Sequence, residues 1–312
     1  MLNRRILRIK AFKAIYEYAV RGDMDLNDAI VELDRSCEAT RDLYVYMLAI
    51  IPYLTKAAQS RIDAARSKYN PTEADLNPNE KFAKNALSVL LENDPDLKKI
   101  LSKKKLTWDP YDILVRKVLD SIMESEYYKE YMETPGTSIK EDCALFTKIF
   151  QTEFEDNADL HAILEDQSIY WIDDLGYALM WDCKTLEELG KGRCWRLPEL
   201  YQSDEIKKKK PETQVESDQA FVRKLVTCAF TSYESTFEKV IAAVPDWDKE
   251  RLFSADMAII ALGVAEASNF PTIPRNVTLN EYIEISKFYC SPKSRQFING
   301  LLDKLTSPEQ QA

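Results

Sequence analysis

The sequence predicts an all-α protein. Apolar side chains recur at three- and four-residue steps along the chain, which places them on one side of a helix; the clearest stripe is Ile6, Ile9, Phe12, Ile15 and Tyr16. Runs in which apolar and polar residues alternate, as a half-buried strand requires, are absent from the sequence. Glycine, at 7 of 312 residues, is too scarce for a fold that depends on many tight hairpin turns.

Turn-forming residues predict where the helices end. Gly22 is expected to end the first helix, and Asp23 is well placed to cap the second. The segments Asn70–Glu73 and Asn77–Asn79 each contain a proline and should interrupt a long second helix, and Thr134–Gly136 predicts a loop.

A polar stretch from Gln202 to Asp218 predicts a linker. It contains the lysine run Lys207–Lys210 and Pro211 among acidic residues, and we interpret the run as a solubilising loop. The spacing of apolar residues after it predicts four helices, at roughly 219–244, 255–268, 278–290 and 292–306.

Charge is distributed unevenly. The net charge of −10 and the sequence pI of about 5.0 exclude a uniformly basic nucleic-acid binder. The first helix nevertheless carries five cations before its first acid, Glu17: Arg4, Arg5, Arg8, Lys10 and Lys13. Cations at a helix N-terminus oppose the macrodipole, whereas arginine forks suit phosphate oxygens and unpaired bases. The cluster predicts either an RNA-binding surface or a solvated polar face.

Signatures of catalysis are weak, and we expect no enzyme activity, metal or cofactor. His161 is the single histidine and lies beside an acidic run, which favours a surface position over a general base. The segment Gly190–Arg193 lacks the ending of a phosphate-binding loop. None of the six cysteines forms a C-x-x-C pair, so we expect reduced thiols in a cytoplasmic protein. Apolar runs are too short for a membrane span.

The C-terminal third resembles the NusB family. The resemblance is carried by D-M-A-I-I-A-L-G-V-A-E from Asp256, L-N-E-Y-I-E-I-S-K from Leu279 and F-I-N-G-L-L-D from Phe297. The pattern R-R-x-x-R-x-x-A-x-x-x-I-Y from Arg4 to Tyr16 is similar to the start of the family's first helix. Ala261 stands where the family pattern has arginine, and Lys293 where well-known members have an acid.

The split resemblance implies a NusB-like, five-helix core assembled from both chain ends. Residues 1–22 and 217–306 would form that core, 23–215 a long helical insertion as in the enlarged NusB form of Bacteroidetes-type bacteria, and 307–312 a disordered tail. Gly300 would permit close helix approach, and the amides of Asn280 and Asn299 would be buried and hydrogen-bonded. Buried positions should include Phe12, Ile15, Ile259, Leu262, Leu279, Ile283, Phe297 and Leu301.

The resemblance implies a function in transcription antitermination. Single-stranded boxA-like RNA would contact the N-terminal helix, and NusE, a small-subunit ribosomal protein, would dock on the later helices within the RNA polymerase antitermination complex. RNA contacts would fall on Arg4, Arg5, Arg8 and Tyr16, with the three arginines exposed. Lys10 and Lys13 of the same basic cluster would add to these contacts. Partner contacts would fall on Asp256, Lys293 and Phe297.

Two other classes compete with this interpretation. One is a helical protein-interaction scaffold that has kept the fold and lost RNA binding. The other is an RNA methyltransferase with a NusB-like domain, which the sequence excludes because it has no strand followed by a glycine-rich cofactor loop.

Overall fold

The structure, a computed structural model, describes residues 1–136, 138–201, 217–244 and 253–307. All regular secondary structure in these ranges is helical, which confirms the all-α prediction. None of the described helices is both long and apolar enough to cross a lipid bilayer. The predicted features Lys207–Lys210 and Pro211, and all but the first residue of the predicted tail, lie outside the described residues.

Eleven helices precede residue 200 in the described part of the chain. In order they are α1 (Arg4–Arg21), α2 (Leu26–Leu48), α3 (Ile50–Arg66), α4 (Glu73–Leu76), α5 (Ala86–Asn93), α6 (Pro95–Lys104), α7 (Asp112–Glu124), α8 (Glu126–Glu133), α9 (Ile139–Thr152), α10 (Ala158–Gln167) and α11 (Leu175–Gly190). Single 3₁₀ turns precede α7 and α11, at Asp109–Tyr111 and Ile169–Trp171.

Five helices follow in the described C-terminal ranges. They are α12 (Asp218–Thr231), α13 (Tyr233–Ala243), α14 (Ser254–Asn269), α15 (Arg275–Tyr289) and α16 (Pro292–Leu305). The single helix predicted over 219–244 is therefore wrong. It divides at Ser232, whose hydroxyl and backbone N–H both donate to the carbonyl of Cys228, an arrangement that bends helices.

The boundaries of α1 follow from its caps. The Asn3 side chain accepts a hydrogen bond from the Ile6 N–H, and Gly22 ends the helix at φ 70°, a conformation that glycine adopts without strain. Gly22 thus acts as predicted. Asp23 does not cap α2: Asp25 does so, since its carboxylate accepts from the Asp28 N–H at 2.8 Å.

The long second helix is interrupted earlier than predicted. It divides at Ala49, between α2 and α3. Pro52, in the first turn of α3, has no N–H to donate to the preceding turn, which favours a helix start at this point.

The chain forms two compact units. The first contains residues 1–38 and 199–312, so both chain ends contribute to it, and the second contains residues 39–198. In the first unit, α14 is the central helix and packs against α1, α12, α15 and α16. Every residue from Asp256 to Glu266 is buried, and an apolar surface all round is typical of a helix enclosed by others.

Burial in the first unit agrees with most of the predicted core. Six of the eight predicted positions are buried: Phe12, Ile15, Ile259, Leu262, Leu279 and Leu301. Ile283 and Phe297 are half-buried instead. Asn280 and Asn299 are exposed, so the prediction of buried amides is wrong; each lies on the solvent side of its helix, where water satisfies an amide.

A different glycine from the predicted one permits close helix approach. A Cβ built on Gly300 meets no atom within 4 Å, whereas one built on Gly263 lies 2.5 Å from Leu302 Cδ2 and 3.4 Å from Tyr282 Cδ2. Gly263 therefore lets α16 and α15 pack closely on α14, and the role predicted for Gly300 is wrong.

Stacked aromatic rings form part of the core of the second unit. Tyr46 lies 4.1 Å from Trp108 with nearly parallel rings and 5.3 Å from Trp171. Both indole N–H groups are satisfied, because Trp108 donates to the Tyr46 carbonyl and Trp171 to the Ala39 carbonyl. These bonds let two large polar-tipped rings enter the core without losing hydrogen bonds.

Candidate nucleic-acid interface

Arg8, a predicted RNA contact, lies inside the first unit. It is 4% exposed. Its Nε donates to Glu266 at 2.8 Å and a terminal nitrogen donates to the other carboxylate oxygen at 2.7 Å. Thr278 and Tyr282 of α15 donate to the same carboxylate at 2.8 and 3.0 Å. The prediction that Arg8 is exposed is wrong, because a buried acid on α14 holds its guanidinium.

The electrostatics of this buried group favour an ion pair. Burial alone would lower the pKa of Arg8, but the hydrogen bonds and charge of Glu266 outweigh burial and raise it. Burial, reinforced by the nearby Glu266 charge, raises the pKa of Tyr282, so its hydroxyl keeps the proton that it donates. Four side chains thus join α1, α14 and α15 through one satisfied polar network.

Arg4 and Arg5 also face carboxylates of distant segments. Arg4 Nε lies 3.3 Å from Asp218 at the start of α12, and its guanidinium lies 4.5 Å from the ring centroid of Phe221. Arg5 donates twice to Glu281 of α15, at 3.0 and 2.8 Å. The Arg5 hydrogen bonds are the main reason that the pKa of Glu281 is lowered.

The predicted positive pole is therefore largely neutralised. Each of the three arginines of α1's first half has a carboxylate partner from a helix far away in sequence. The Arg5 pair is the most accessible, since the Arg5 side chain is 55% exposed. An exposed pair of this kind contributes little to stability and exchanges partners easily.

The remaining predicted RNA residues divide between core and surface. Lys10 is fully buried, which does not fit its predicted contact with RNA. It lies on the same side of α1 as the buried Leu7 and Ala14. Lys13 is half-buried. Tyr16 is 41% exposed and packs against Phe12, with ring centroids 5.9 Å apart.

Tyr16 lines a surface groove of about 370 Å³ together with residues from α14, α15 and α16. Phe253, just before α14, forms another wall and is 62% exposed. Phe253 was not predicted from the sequence, although an apolar residue directly before a helix start was a usable signal. Two accessible aromatic rings in one groove can stack on unpaired bases.

The predicted partner residues are only partly accessible. Lys293 is exposed and Phe297 is half-buried. Asp256 lines the groove but is 3% exposed, which contradicts a surface role for this carboxylate in the structure. Asp256 lies in the first turn of α14. Burial is the larger cause that raises the pKa of the Cys290 thiol to about 12, and the hydrogen bond between Cys290 and Asp256 adds to this rise.

Comparisons with known proteins match the C-terminal part of the chain. The NusB family profile matches residues 195–307. A transcription antitermination protein NusB of Clostridium botulinum (strain Kyoto / Type A2) is 33% identical over 112 residues, which cover 35% of this chain and 78% of that protein. The chain belongs to the NusB family.

Other NusB relatives agree over a shorter span. The transcription antitermination protein NusB of Geotalea daltonii is 36% identical over 87 residues, covering 28% of this chain and 60% of that protein. The transcription antitermination protein NusB of Citrifermentans bemidjiense is 33% identical over 88 residues, which cover 28% of this chain and 61% of that protein. No solved structure matches the chain. The NusB family match and the second unit share only residues 195–198.

Proposed function

We propose that the chain is a non-enzymatic adaptor of transcription antitermination that binds single-stranded RNA. The observation that carries the proposal is the 33% identity with an antitermination protein across 78% of that protein's length. Residues 1–22 and 217–306 would supply the NusB-like part, and 23–215 would be an insertion into it.

The RNA would cross the surface of α1 beside the groove. Arg5 can exchange the Glu281 carboxylate for a phosphate, because both arrangements are ion pairs at an exposed position. Lys13 would add a second cation, and Tyr16 and Phe253 would stack on bases. The partly exposed Arg4 would lie at the edge of this surface. The buried Arg8 and Lys10 would not contact RNA and would instead hold α1 in place.

The RNA would be boxA-like, and a NusE-type protein would complete the complex with RNA polymerase. Lys293 and Phe297, at the start of α16, are the accessible part of the proposed partner surface. The buried Asp256 would stabilise that surface without contacting the partner. A basic ribosomal protein would also reduce the repulsion between RNA and a chain of net charge −10.

A scaffold that has lost RNA binding is the second candidate. It is favoured by the carboxylate partners of Arg4, Arg5 and Arg8, which leave α1 less positive than its sequence indicates. This candidate predicts partner binding through α16 without any RNA binding by α1.

Fluorescence anisotropy with a labelled 12-nucleotide boxA-like RNA separates the two functions. Replacing Arg5 and Lys13 with alanine should weaken binding and reduce its salt dependence, by about 0.7 in log–log slope for each phosphate that no longer has a cation beside it. The matched control replaces Arg223 and Lys239, two other cations of the first unit. Equal effects of both pairs, or no binding by the parent at low salt, would favour the scaffold.

A further inference from the structure

A second basic surface lies on α6, in the second unit and outside the NusB family match. Five of the eight residues 98–105 are lysines and none is acidic. All five lysines are exposed: Lys98, Lys99, Lys103, Lys104 and Lys105. In a chain with ten more acidic than basic residues, this is an unusual concentration of positive charge.

Three of these lysines share one side of the helix. At 100° per residue, Lys98, Lys99 and Lys103 fall on one face together with exposed Ser102, while the buried Leu97 lies on the opposite side. We call Lys98, Lys99 and Lys103 the lysine face. It forms a continuous basic strip along the exposed side of α6.

Ion pairing within the chain does not account for the lysine face. Lys104 pairs with Asp42 at 2.9 Å. By contrast, no carboxylate in the described ranges forms an ion pair with Lys98, Lys99 or Lys103. The face therefore presents cations that are not already neutralised, in contrast to the arginines of α1.

Helix stability does not account for it either. Cations at the C-terminal end complement the helix dipole, which explains Lys103 and Lys104. Lys98 and Lys99 lie in the first half of α6, where that benefit is absent. Lys99 and Lys103 are also four residues apart, a spacing at which like charges repel. Asp94 and Asp96 offset this repulsion, because they stand four and three residues before Lys98 and Lys99, so the lysine face brings α6 no net gain in stability.

We propose that the lysine face binds the phosphate backbone of RNA, which extends the RNA binding proposed for α1 to the second unit. The inference rests on the proposed function only in its choice of ligand. Lysine meets phosphate as a point charge, and residues 95–105 include no aromatic ring on which a base could stack. The contact would therefore be independent of RNA sequence and sensitive to salt.

Substitution of the lysine face in the full-length chain tests this inference. Lys98→Gln, Lys99→Gln and Lys103→Gln together leave the Lys104–Asp42 pair intact. The matched control is Lys84→Gln, Lys117→Gln and Lys129→Gln, three exposed lysines of the same unit that pair with Glu80, Asp159 and Glu126. Both variants carry the same net charge, so long-range repulsion of RNA is equal in the two.

The probe is a labelled 20-nucleotide oligouridylate, measured by anisotropy over a range of salt concentrations. The lysine-face variant should lose up to about 2 in log–log salt slope, about 0.7 for each phosphate bound, while the control keeps the slope of the parent. Equal slopes for the lysine-face variant and the parent would overturn the inference. A 20-residue polyglutamate that binds as tightly as the RNA, and loses as much on substitution, would also overturn it by indicating an acidic protein partner.

The two proposals fail separately. If the surface of α1 binds no RNA, the Arg5→Ala and Lys13→Ala variant binds as the parent does, yet the lysine-face variant still loses its slope. If the lysine face is inert, only the α1 variant shows a loss. Circular dichroism of every variant checks that the exposed substitutions leave the helices intact.

Discussion

Arg8 and Glu266, 258 positions apart in the sequence, form a two-pronged ion pair in the interior of the first unit. The pair ties the N-terminal helix to the central helix of the NusB-like part. Both oxygens of the Glu266 carboxylate accept hydrogen bonds, because Thr278 and Tyr282 donate to this carboxylate in addition to Arg8. The two ends of the chain are thus held together by charge as well as by apolar packing.

Breaking this pair should be costly. Arg8→Met leaves the Glu266 carboxylate buried without its counter-charge, and we expect a loss of about 3–5 kcal/mol in the free energy of unfolding. Urea denaturation followed by circular dichroism measures it. Arg5→Met, at the exposed pair with Glu281, is the control and should cost no more than about 1 kcal/mol. Similar losses for the two variants would show that the Arg8 pair is not buried in solution.

The two helical glycines should respond in opposite directions to alanine. Gly300→Ala meets open space and should stabilise the protein by up to about 1 kcal/mol, because alanine is the better helix former. Gly263→Ala forces the buried Leu302 side chain to move and should destabilise the protein by about 1–3 kcal/mol. Thermal denaturation of both variants provides the comparison, and a stabilised Gly263→Ala variant would contradict the packing described for α14.

Asp182 should make the second unit sensitive to pH. It is fully buried, neither carboxylate oxygen has a hydrogen-bond partner in the described part of the chain, and burial raises its pKa well above the ordinary value. The folded state therefore binds a proton that the unfolded state releases above about pH 4, and the free energy of unfolding falls as pH rises from there toward the raised pKa.

Asp182→Asn removes this proton linkage at nearly constant shape. The variant should gain stability relative to the parent as pH rises above about 4, measured by urea denaturation between pH 4 and pH 8. Asp166→Asn, at an exposed position, serves as the control and should track the parent throughout. A constant difference between Asp182→Asn and the parent at every pH would mean that the carboxyl is solvated.

Phe297 should anchor the protein partner. Its half-buried ring beside the exposed Lys293 resembles the aromatic centre of many interfaces, and we expect Phe297→Ala to weaken binding of a NusE-type protein by about 2 kcal/mol. Isothermal titration calorimetry measures the affinity. Phe288→Ala, which removes a ring of α15 that is 81% exposed, is the matched control. Unchanged affinity for Phe297→Ala would remove Phe297 from the partner surface.

Local patterns in the sequence were sufficient for the all-α class, for some of the helices and for most of the predicted core positions. Apolar spacing located α1 and α14 to α16, and the motifs around Phe297 identified the NusB family. The burial of Arg8 was not predictable from α1 alone, because an arginine's environment depends on which distant carboxylates the fold brings to it. For the same reason the pairing of Arg5 with Glu281 was missed. Phe253 and the lysine face were visible in the sequence but had no motif to single them out.

Photo-crosslinking tests the proposed function most directly. A 12-nucleotide boxA-like RNA with 4-thiouridine in place of uridine is irradiated with the full-length chain, and the modified peptides are identified by mass spectrometry. Crosslinks at Tyr16 and Phe253, abolished at position 16 when Tyr16 is replaced by alanine, are the expected result. Crosslinks confined to residues away from α1 and its groove, or unaffected by the substitution, would contradict RNA binding at this surface.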